Sequence, residues 1–399
     1  MKYLILGAGP GSMGEAIAAR LLKEEGAEVS ITDQNLGNVE KTYGKLRPYA
    51  CGANLKWFLP GGQGLDVVKQ IGLLPRFFKD FDIVVSAIPA SLNPIVVEAV
   101  LLSNEMRGKY HERKTHYCDL GGVLEITKKI IQWDTDLRAK ACGVALVPDC
   151  GLQPGLGNII AIDILKNFDP AVPVESIIIY VGGLPYDYKN PPYYKKLFNL
   201  TGLAEIYYNA PLVLHKGRPL KITKLSHYET IPTREFDMYF GSPETIKFEA
   251  AVTGGLGALP YYLQNQVLTL QEKTLRFEGH YNKVKTIPSE DFEKIFTNWL
   301  KDFPVCEKDF TVMKIVAIGK SAFSDERIMV EKLLCSYSDE NWNSMQKTTG
   351  FTTAVLARLI AEGKASPGST PPEIALDSSL VLNSLKKDFH IYERTTLLK

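Results

Sequence analysis

The sequence predicts an α/β protein in two parts: an N-terminal doubly wound parallel sheet, then a second α+β domain with a mixed, largely antiparallel sheet. Three observations lead there. Strand-like and helix-like patterns alternate through the first third of the chain, and its strands are near-continuous apolar runs. From about residue 175 the texture changes to Tyr-, Thr- and β-branched runs joined by turns. At 399 residues and 45% hydrophobic content, the chain is long enough for two cores. The expected division is 1–172 for the first domain, 173–334 for the second, and 335–399 for a C-terminal segment returning to the first.

Each element has its own justification. "KYLIL" is a buried strand, and "SMGEAIAARLLKEEG" is the amphipathic helix that follows it. "AEVSIT" reads as the second strand and "FDIVVSAI" as a later one, with "LNPIVVEAVLLSN" its helix. "KTHYCDL" and "GVALVPD" complete the parallel set. In the second part, "ESIIIYVGG", "PLVLHKGRPLKITKL", "TLRFEGHY" and "FTVMKIVAIGK" have strand character. Residues 341–365 return to a helical pattern, the basis for packing the tail on the first domain.

Composition excludes several classes of function. A formal charge of +1 gives no electrostatic case for nucleic acid or an anionic membrane surface. The apolar runs are of strand length, too short to cross a bilayer. "MKYLILGAG" runs straight into glycines without a cleavage site, so it reads as a first strand and the expected location is cytoplasmic. The six cysteines form no C-x-x-C pair and no paired spacing with the six histidines, so neither a metal site nor a disulfide framework is expected.

The chemistry begins at "LILGAGPGSMGEAIAARLL". Gly9, Gly11 and Gly14 form G-x-G-x-x-G between the first strand and its helix, with an overlapping G-x-G at Gly7 and Gly9. Early glycines permit a tight turn and close approach of a pyrophosphate, and the last lets helix and strand pack. Ser12, Met13 and the helix N-terminus supply N–H groups to phosphate. Asp33 closes the second strand, where the fingerprint places an acid on the ribose. These features define a Rossmann dinucleotide site. The loop is two residues longer than the commonest form, and either glycine register can hold the phosphates. Asp33 would repel a 2′-phosphate and "DQNL" offers no Arg to receive one, which favours NAD over NADP.

Strand ends in this topology face the cofactor crevice. Ala87, Ile88 and Pro89 of "SAIPASLNP" are placed against the nicotinamide half, and Asn93 as the cap of the next helix. Asp66 has two readings, an N-cap of a helix "LDVVKQ" or a neighbour of the adenine. Asp119 in "CDLGG" ends one strand, and Asp149 and Cys150 in "VPDCGLQPGLGN" end the last.

Taken in order, "GAGPGSMG", "DIVVSAIP", "HYCDLGG", "PDCGLQPGLGN", "IYVGGLP", "LRFEGH" and "TTGF" resemble the saccharopine dehydrogenase family, most closely its lysine 6-dehydrogenase branch. The resemblance implies a Rossmann domain, a second domain with substrate contacts and dimerisation, and NAD(P)-dependent oxidation at an amine-bearing carbon of a lysine-like small molecule. It also implies a homodimer. One departure stands out. Where the family often shows T-D-G-L-x-T-L, this chain has "TGGLGALP" from Thr253 to Pro260, with Gly254 in place of the acid and Ala258 in place of the second threonine.

Hydride leaves a carbon bearing a neutral amine, and deprotonating a lysine ammonium of reference pKa about 10.4 at pH 7 costs roughly 4–5 kcal/mol. A base or a desolvated site is therefore needed. The resemblance makes Asp119 the amine-facing acid, against the alternative of a turn or capping group. Asp149 reads as a turn or supporting group. Cys150 reads as packing against ring or substrate rather than as a nucleophile, which the chemistry does not require. Arg276 is the choice for a substrate carboxylate. His280 is a proton shuttle or a structural histidine. "GGLPYDYKNPPYYKKLF" reads as a lid or wall with Tyr194 and Lys195, or as an exposed turn or dimer contact. Three functions compete: a lysine 6-dehydrogenase, a saccharopine or carboxynorspermidine dehydrogenase acting on a secondary amine, and a non-catalytic NAD-binding relative. The few Arg residues of the substrate region (Arg218, Arg234, Arg276, Arg327) disfavour the tricarboxylate saccharopine.

Overall fold

The structure, a computed structural model, describes residues 1–50, 54–108, 113–187, 193–195, 197, 206–207, 209–238, 246–287, 292–301, 306 and 308–398. It divides into two compact units, Met1–Leu156 with Gln346–Leu385, and Gly157–Met345 with Lys386–Lys399.

The first unit alternates strand and helix: β1 (Lys2–Leu6), α1 (Met13–Leu21), β2 (Glu28–Thr32), α2 (Leu36–Leu46), β3 (Asn54–Trp57), α3 (Leu74–Phe78), β4 (Ile83–Ser86), α4 (Asn93–Arg107), β5 (His116–Asp119), α5 (Leu124–Ile130), α6 (Trp133–Cys142) and β6 (Ala145–Val147). The strands lie in the order β6-β5-β4-β1-β2-β3 and all pair in parallel. This is the doubly wound Rossmann order the sequence leads one to expect. It follows from burial on both faces: every residue of β4 and β6 is buried, as their unbroken apolar runs require. Strand order reverses between β1 and β4, and there the carboxyl ends of the strands open a crevice. Leu4, Leu6, Val84, Val100, Tyr117 and Leu146 belong to the core that fixes these strand ends.

The second unit is built on β7 (Val174–Pro185), β8 (Leu212–His215), β9 (Arg218–Lys221), β10 (Glu229–Pro232), β11 (Lys247–Val252), β12 (Val267–Phe277), β13 (Asp309–Lys320) and β14 (Arg327–Tyr337). Its sheet runs β10-β11-β12-β7-β13-β14 and ends on the strand Ile391–Leu398, with β8 and β9 a hairpin hung from β12. Among the described strands of this unit only β12 and β7 pair in parallel, so the sheet is mixed and largely antiparallel. Phe236, Phe248, Phe277 and Phe310 form the aromatic centre of this unit, edge-to-face at Phe236–Phe248 and Phe277–Phe310 and tilted at Phe248–Phe277.

Three details differ from the sequence reading. The segment 335–399 is divided: Gln346–Leu385 lies in the first unit, whereas Ile391–Leu398 pairs with β14 in the second. "IYERTTLL" is rich in β-formers and completes an otherwise open sheet edge. No helix forms over "LDVVKQ"; residues 67–70 are a turn leading to the 3-10 segment Ile71–Leu73. Asp66 caps that turn, its Oδ1 accepting from the N–H groups of Val68 (3.0 Å) and Lys69 (3.1 Å). Asn93 is already the first helical residue of α4 rather than its cap, because a 3-10 turn at Ala90–Leu92 precedes it.

Candidate functional site

The site is built outward from the turn between β1 and α1. Ser12 is the N-cap of α1: its Oγ accepts from Glu15 N–H (3.2 Å) and donates to the Gly7 carbonyl (3.0 Å). Gly7 has φ +77, and a Cβ there would come within 2.6 Å of the Ala87 carbonyl oxygen. A Cβ on Gly14 would come within 2.5 Å of the Gly7 carbonyl, so this last glycine lets α1 approach β1. Glu15, fully buried, accepts from Gly11 N–H at 2.9 Å and pairs with Lys45 of α2. Its signal was present in the sequence, since Ser12 and Glu15 have capping-box spacing. From the C-terminal segment, Gln346 Nε2 donates to the Gly11 carbonyl at 3.0 Å, and Gly350 lies so near α1 that a Cβ would meet Ala16 Cβ at 2.8 Å.

Beyond this turn lies a cleft of about 760 Å³. Gly7, Gly9, Gly11, Ser12, Asp33, Asp66, Ala87, Ile88 and Pro89 line it, while Met13, Gly14 and Asn93 do not. Asp33 Oδ1 accepts from Asn35 N–H (2.9 Å) and Asn38 Nδ2 (3.1 Å), leaving Oδ2 towards Gly9, where a Cβ would stand 3.2 Å away. Asn38 is a wall residue the motif does not reveal; its place follows from the first turn of α2. Lys69 is another. It pairs with Asp66 at 3.4 Å and brings a cation to the cleft from a turn distant in sequence. Gly64 makes that possible, since a Cβ there would strike the Asp33 carbonyl oxygen at 2.4 Å. Hydrogen bonds from Lys69 and Val68 hold the Asp66 carboxyl below the usual range.

Asn93 is turned inward: its Oδ1 accepts from Ser86 Oγ at 2.7 Å and the residue is buried. It supports the end of β4 instead of reaching the cleft.

At the ends of β5 and β6 sits a buried acidic cluster. Asp119 Oδ2 accepts from Tyr117 OH (2.7 Å), and Oδ1 accepts from the N–H groups of Gly121 (2.7 Å) and Asp149 (3.1 Å). Burial pushes the Asp119 carboxyl up to about 6, against these three hydrogen bonds, which pull it down. Cys150 is fully buried; its N–H donates to the Asp119 carbonyl (2.8 Å) and its Sγ to the Val147 carbonyl (3.4 Å). Burial raises its thiol well above the ordinary value, so it is no ready thiolate. Thr353 Oγ1 donates to the Cys150 carbonyl at 2.8 Å. Neither Asp119 nor Cys150 lines the cleft beside the glycine turn. Both are buried at the ends of β5 and β6.

In the second unit Arg276 and His280 are brought together by a residue the sequence reading passed over. Tyr207 OH accepts from Arg276 Nε at 2.7 Å and stands 3.1 Å from His280 Nε2, to which it is free to donate. Arg276 is 2% exposed, stacks on the Tyr194 ring at 4.5 Å, and donates from Nη1 to the Leu275 carbonyl. Its Nη2 has no hydrogen-bond partner among the described residues. The "TGGLGALP" turn is held by buried Glu272, whose Oε2 accepts from Thr253 Oγ1 (2.5 Å) and Gly255 N–H (3.2 Å). Tyr194 is buried and Lys195 pairs with Asp187 at 3.1 Å; Pro191 and Pro192 of the proposed lid lie outside the described residues.

Among the described residues no group of three or more His, Cys, Asp or Glu could hold a metal ion, and no helix is long and apolar enough to cross a membrane.

Residues 151–390, more than half of the chain, match the family described as the saccharopine dehydrogenase C-terminal domain. The chain belongs to the saccharopine dehydrogenase family. Among curated relatives it is 23% identical to the mitochondrial alpha-aminoadipic semialdehyde synthase of Bos taurus over 187 residues, 46% of this chain and 17% of that protein. It is also 23% identical to the alpha-aminoadipic semialdehyde synthase of Arabidopsis thaliana over 222 residues, 54% of this chain and 19% of that protein. The chain thus spans less than a fifth of these relatives' length. Its fold is that of the apo saccharopine dehydrogenase (L-Glu forming) from Saccharomyces cerevisiae, with a TM-score of 0.69, 99% of each chain covered and 17% identity.

Proposed function

We propose that this family member is an NAD-dependent dehydrogenase acting on the CH–NH group of a lysine-like amino acid. One observation carries the cofactor: a cleft at the switch point, walled by a glycine turn in which Gly7 leaves no room for a Cβ, with the Asp33 carboxylate at its rim. The residues fit a dinucleotide. Gly7, Gly9, Gly11 and Ser12 would hold the pyrophosphate at the N-terminus of α1, Asp33 and Asn38 the adenine ribose, and Ala87, Ile88 and Pro89 the nicotinamide side. When bound, the nicotinamide supplies a hydride acceptor. Asp33 facing the ribose favours NAD, while Lys69 is the cation that moderates this preference.

Asp119 is assigned to the substrate amine. Its carboxyl, raised to about 6, is ionised near pH 7 yet basic enough to take a proton at an Oδ atom from a bound ammonium. The neutral amine then releases hydride from its carbon, giving an iminium that water hydrolyses to aldehyde and ammonia. Cys150 requires no covalent role; it fixes the backbone behind Asp119 through its N–H. Arg276 is assigned to a substrate carboxylate through its open Nη2, with Tyr207 holding the guanidinium and His280.

The count of buried guanidinium groups supports a lysine-like substrate over a tricarboxylate. Arg218, Arg234 and Arg327 are exposed, and Arg327 is held by Glu175; Arg276 alone of these four is buried. A homodimer is part of the same proposal, carried by family membership. The test is direct. Purified protein with NAD or NADP and a panel of lysine, saccharopine and carboxynorspermidine should form reduced cofactor with lysine and NAD. Turnover with saccharopine alone would move the assignment to the secondary amine, and NAD binding without turnover on any amine would make the chain a non-catalytic binder.

A further inference from the structure

A second carboxyl group lies directly behind Asp119, and the chemistry above gives it no task. Asp149 is 1% exposed and adopts φ +64, a conformation costly for a residue with a side chain. That φ lets its N–H donate to Asp119 Oδ1 at 3.1 Å while its carboxyl turns to Thr127 of α5. The packing is tight enough to dictate sequence. Gly121, at φ +67, would place a Cβ 2.0 Å from Asp149 Oδ1.

Two buried carboxylates joined through one N–H cannot both ionise cheaply without a cation. Among the described residues no Lys, Arg or His bonds to either carboxyl group. From β5 the pair faces Tyr117 and Cys118, and from the segment after β6 it faces Cys150; all three are acids and bring no positive charge. From α5 comes the Thr127 hydroxyl, and from the C-terminal segment Thr353 bonds to the Cys150 carbonyl.

The hydrogen bonds decide where a shared proton sits. Asp119 accepts from three donors, which suits an anion, whereas Asp149 accepts from two, the Thr127 hydroxyl and the Gly122 N–H. Thr127 Oγ1 lies 2.9 and 3.1 Å from the two Asp149 oxygens and 3.4 Å from the Val123 carbonyl. The Val123 carbonyl already accepts the N–H groups of Ile126 and Thr127, so the one hydroxyl hydrogen is left between the two Asp149 oxygens. A protonated Asp149 fits the same geometry by donating to Thr127 Oγ1, whose own hydrogen then turns to the Val123 carbonyl at 3.4 Å.

We infer that Asp149 is a positioning residue for Asp119: the two buried carboxyl groups together carry one negative charge, ionised on Asp119 and protonated on Asp149. An ionised Asp149 would force Asp119 to keep a proton and disable it as a base. Only this catalytic consequence rests on the assignment of Asp119 given above. Burial and the Asp119 charge push the Asp149 carboxyl up to about 7, in line with the geometry.

The pH dependence of stability tests this without turnover. A carboxyl with a raised folded-state pKa makes the folded protein bind the extra proton, so stability falls as pH rises from about 4 to about 7. In Asp149→Asn the unfolding constant should lose up to about tenfold of its rise per pH unit over that window. A variant curve parallel to that of the wild type overturns the inference. Should the variant not fold, infrared spectra of the wild type serve: a protonated carboxyl absorption at pH 7, shifted in Thr127→Val, is expected. Its absence, or its indifference to Thr127→Val, overturns the inference. Failure of the amine panel leaves both measurements intact, so the two ideas fail separately.

Discussion

At the residue scale, the proposed chemistry is assigned to Asp119, held by Tyr117 OH and two backbone N–H groups at the end of β5. Asp119→Asn should lower kcat by roughly 10²- to 10⁴-fold with little change in KM, as expected for lost base catalysis. In the wild type, kcat/KM should fall below about pH 6, because the base is then protonated. An equal activity in Asp119→Asn across pH 5–9 would remove Asp119 from the chemistry. Gly121→Ala combines a positive φ with a Cβ 2.0 Å from Asp149 Oδ1, and should cost on the order of 3 kcal/mol in chemical denaturation. The place of Asp119 at the end of a buried strand was legible in "KTHYCDL". Tyr117, Thr127 and Tyr207 were not, since an aromatic or hydroxyl residue in an apolar run reads as packing until its partner, distant in sequence, is placed.

At the element scale, the turn between β1 and α1 works by close approach of backbone to backbone. Gly14→Val should push α1 from the Gly7 carbonyl and weaken NAD binding by more than tenfold in calorimetry, with the second unit unaffected. Cofactor choice lies at the junction of β2 and α2, where Asp33 and Gln34 both face the cleft. Asp33→Ala with Gln34→Arg should raise the NADP-to-NAD preference at least tenfold; an unchanged ratio of dissociation constants would show that the ribose acid lies elsewhere. The glycine spacing announced this turn because its physics is local. The wall formed by Asp66 and Lys69 was not announced, since a turn held by an Asp side chain carries no periodicity and "LDVVKQ" mimics a short helix.

At the scale of the whole molecule, the surroundings of Asp119 in the first unit and of Asp163 in the second should respond to pH in opposite senses. In the first, Asp119 titrates upward of its ordinary value, so stability is lost as pH rises from about 4 to about 6. In the second, Asp163 is raised by partial burial but held down to about 2 by hydrogen bonds from Lys166 and Lys332, so stability is lost as pH falls below about 4. Hydrogen exchange followed at pH 3, 5 and 8 should show amides near Asp163 opening first at pH 3 and those of β5 and β6 first at pH 8. The same order of opening around Asp119 and Asp163 at pH 3 and pH 8 would contradict this contrast.

By itself, the sequence determined the class of each half, the position of the dinucleotide turn and the family, because these depend on period, glycine spacing and local order along the chain. Tertiary structure alone decided which groups share a charge. It set Asp149 behind Asp119, linked Arg276 to His280 through Tyr207, and brought Lys69 to the cleft. Electrostatic coupling depends on distance through space and on burial, and neither is written in the spacing of residues along a strand.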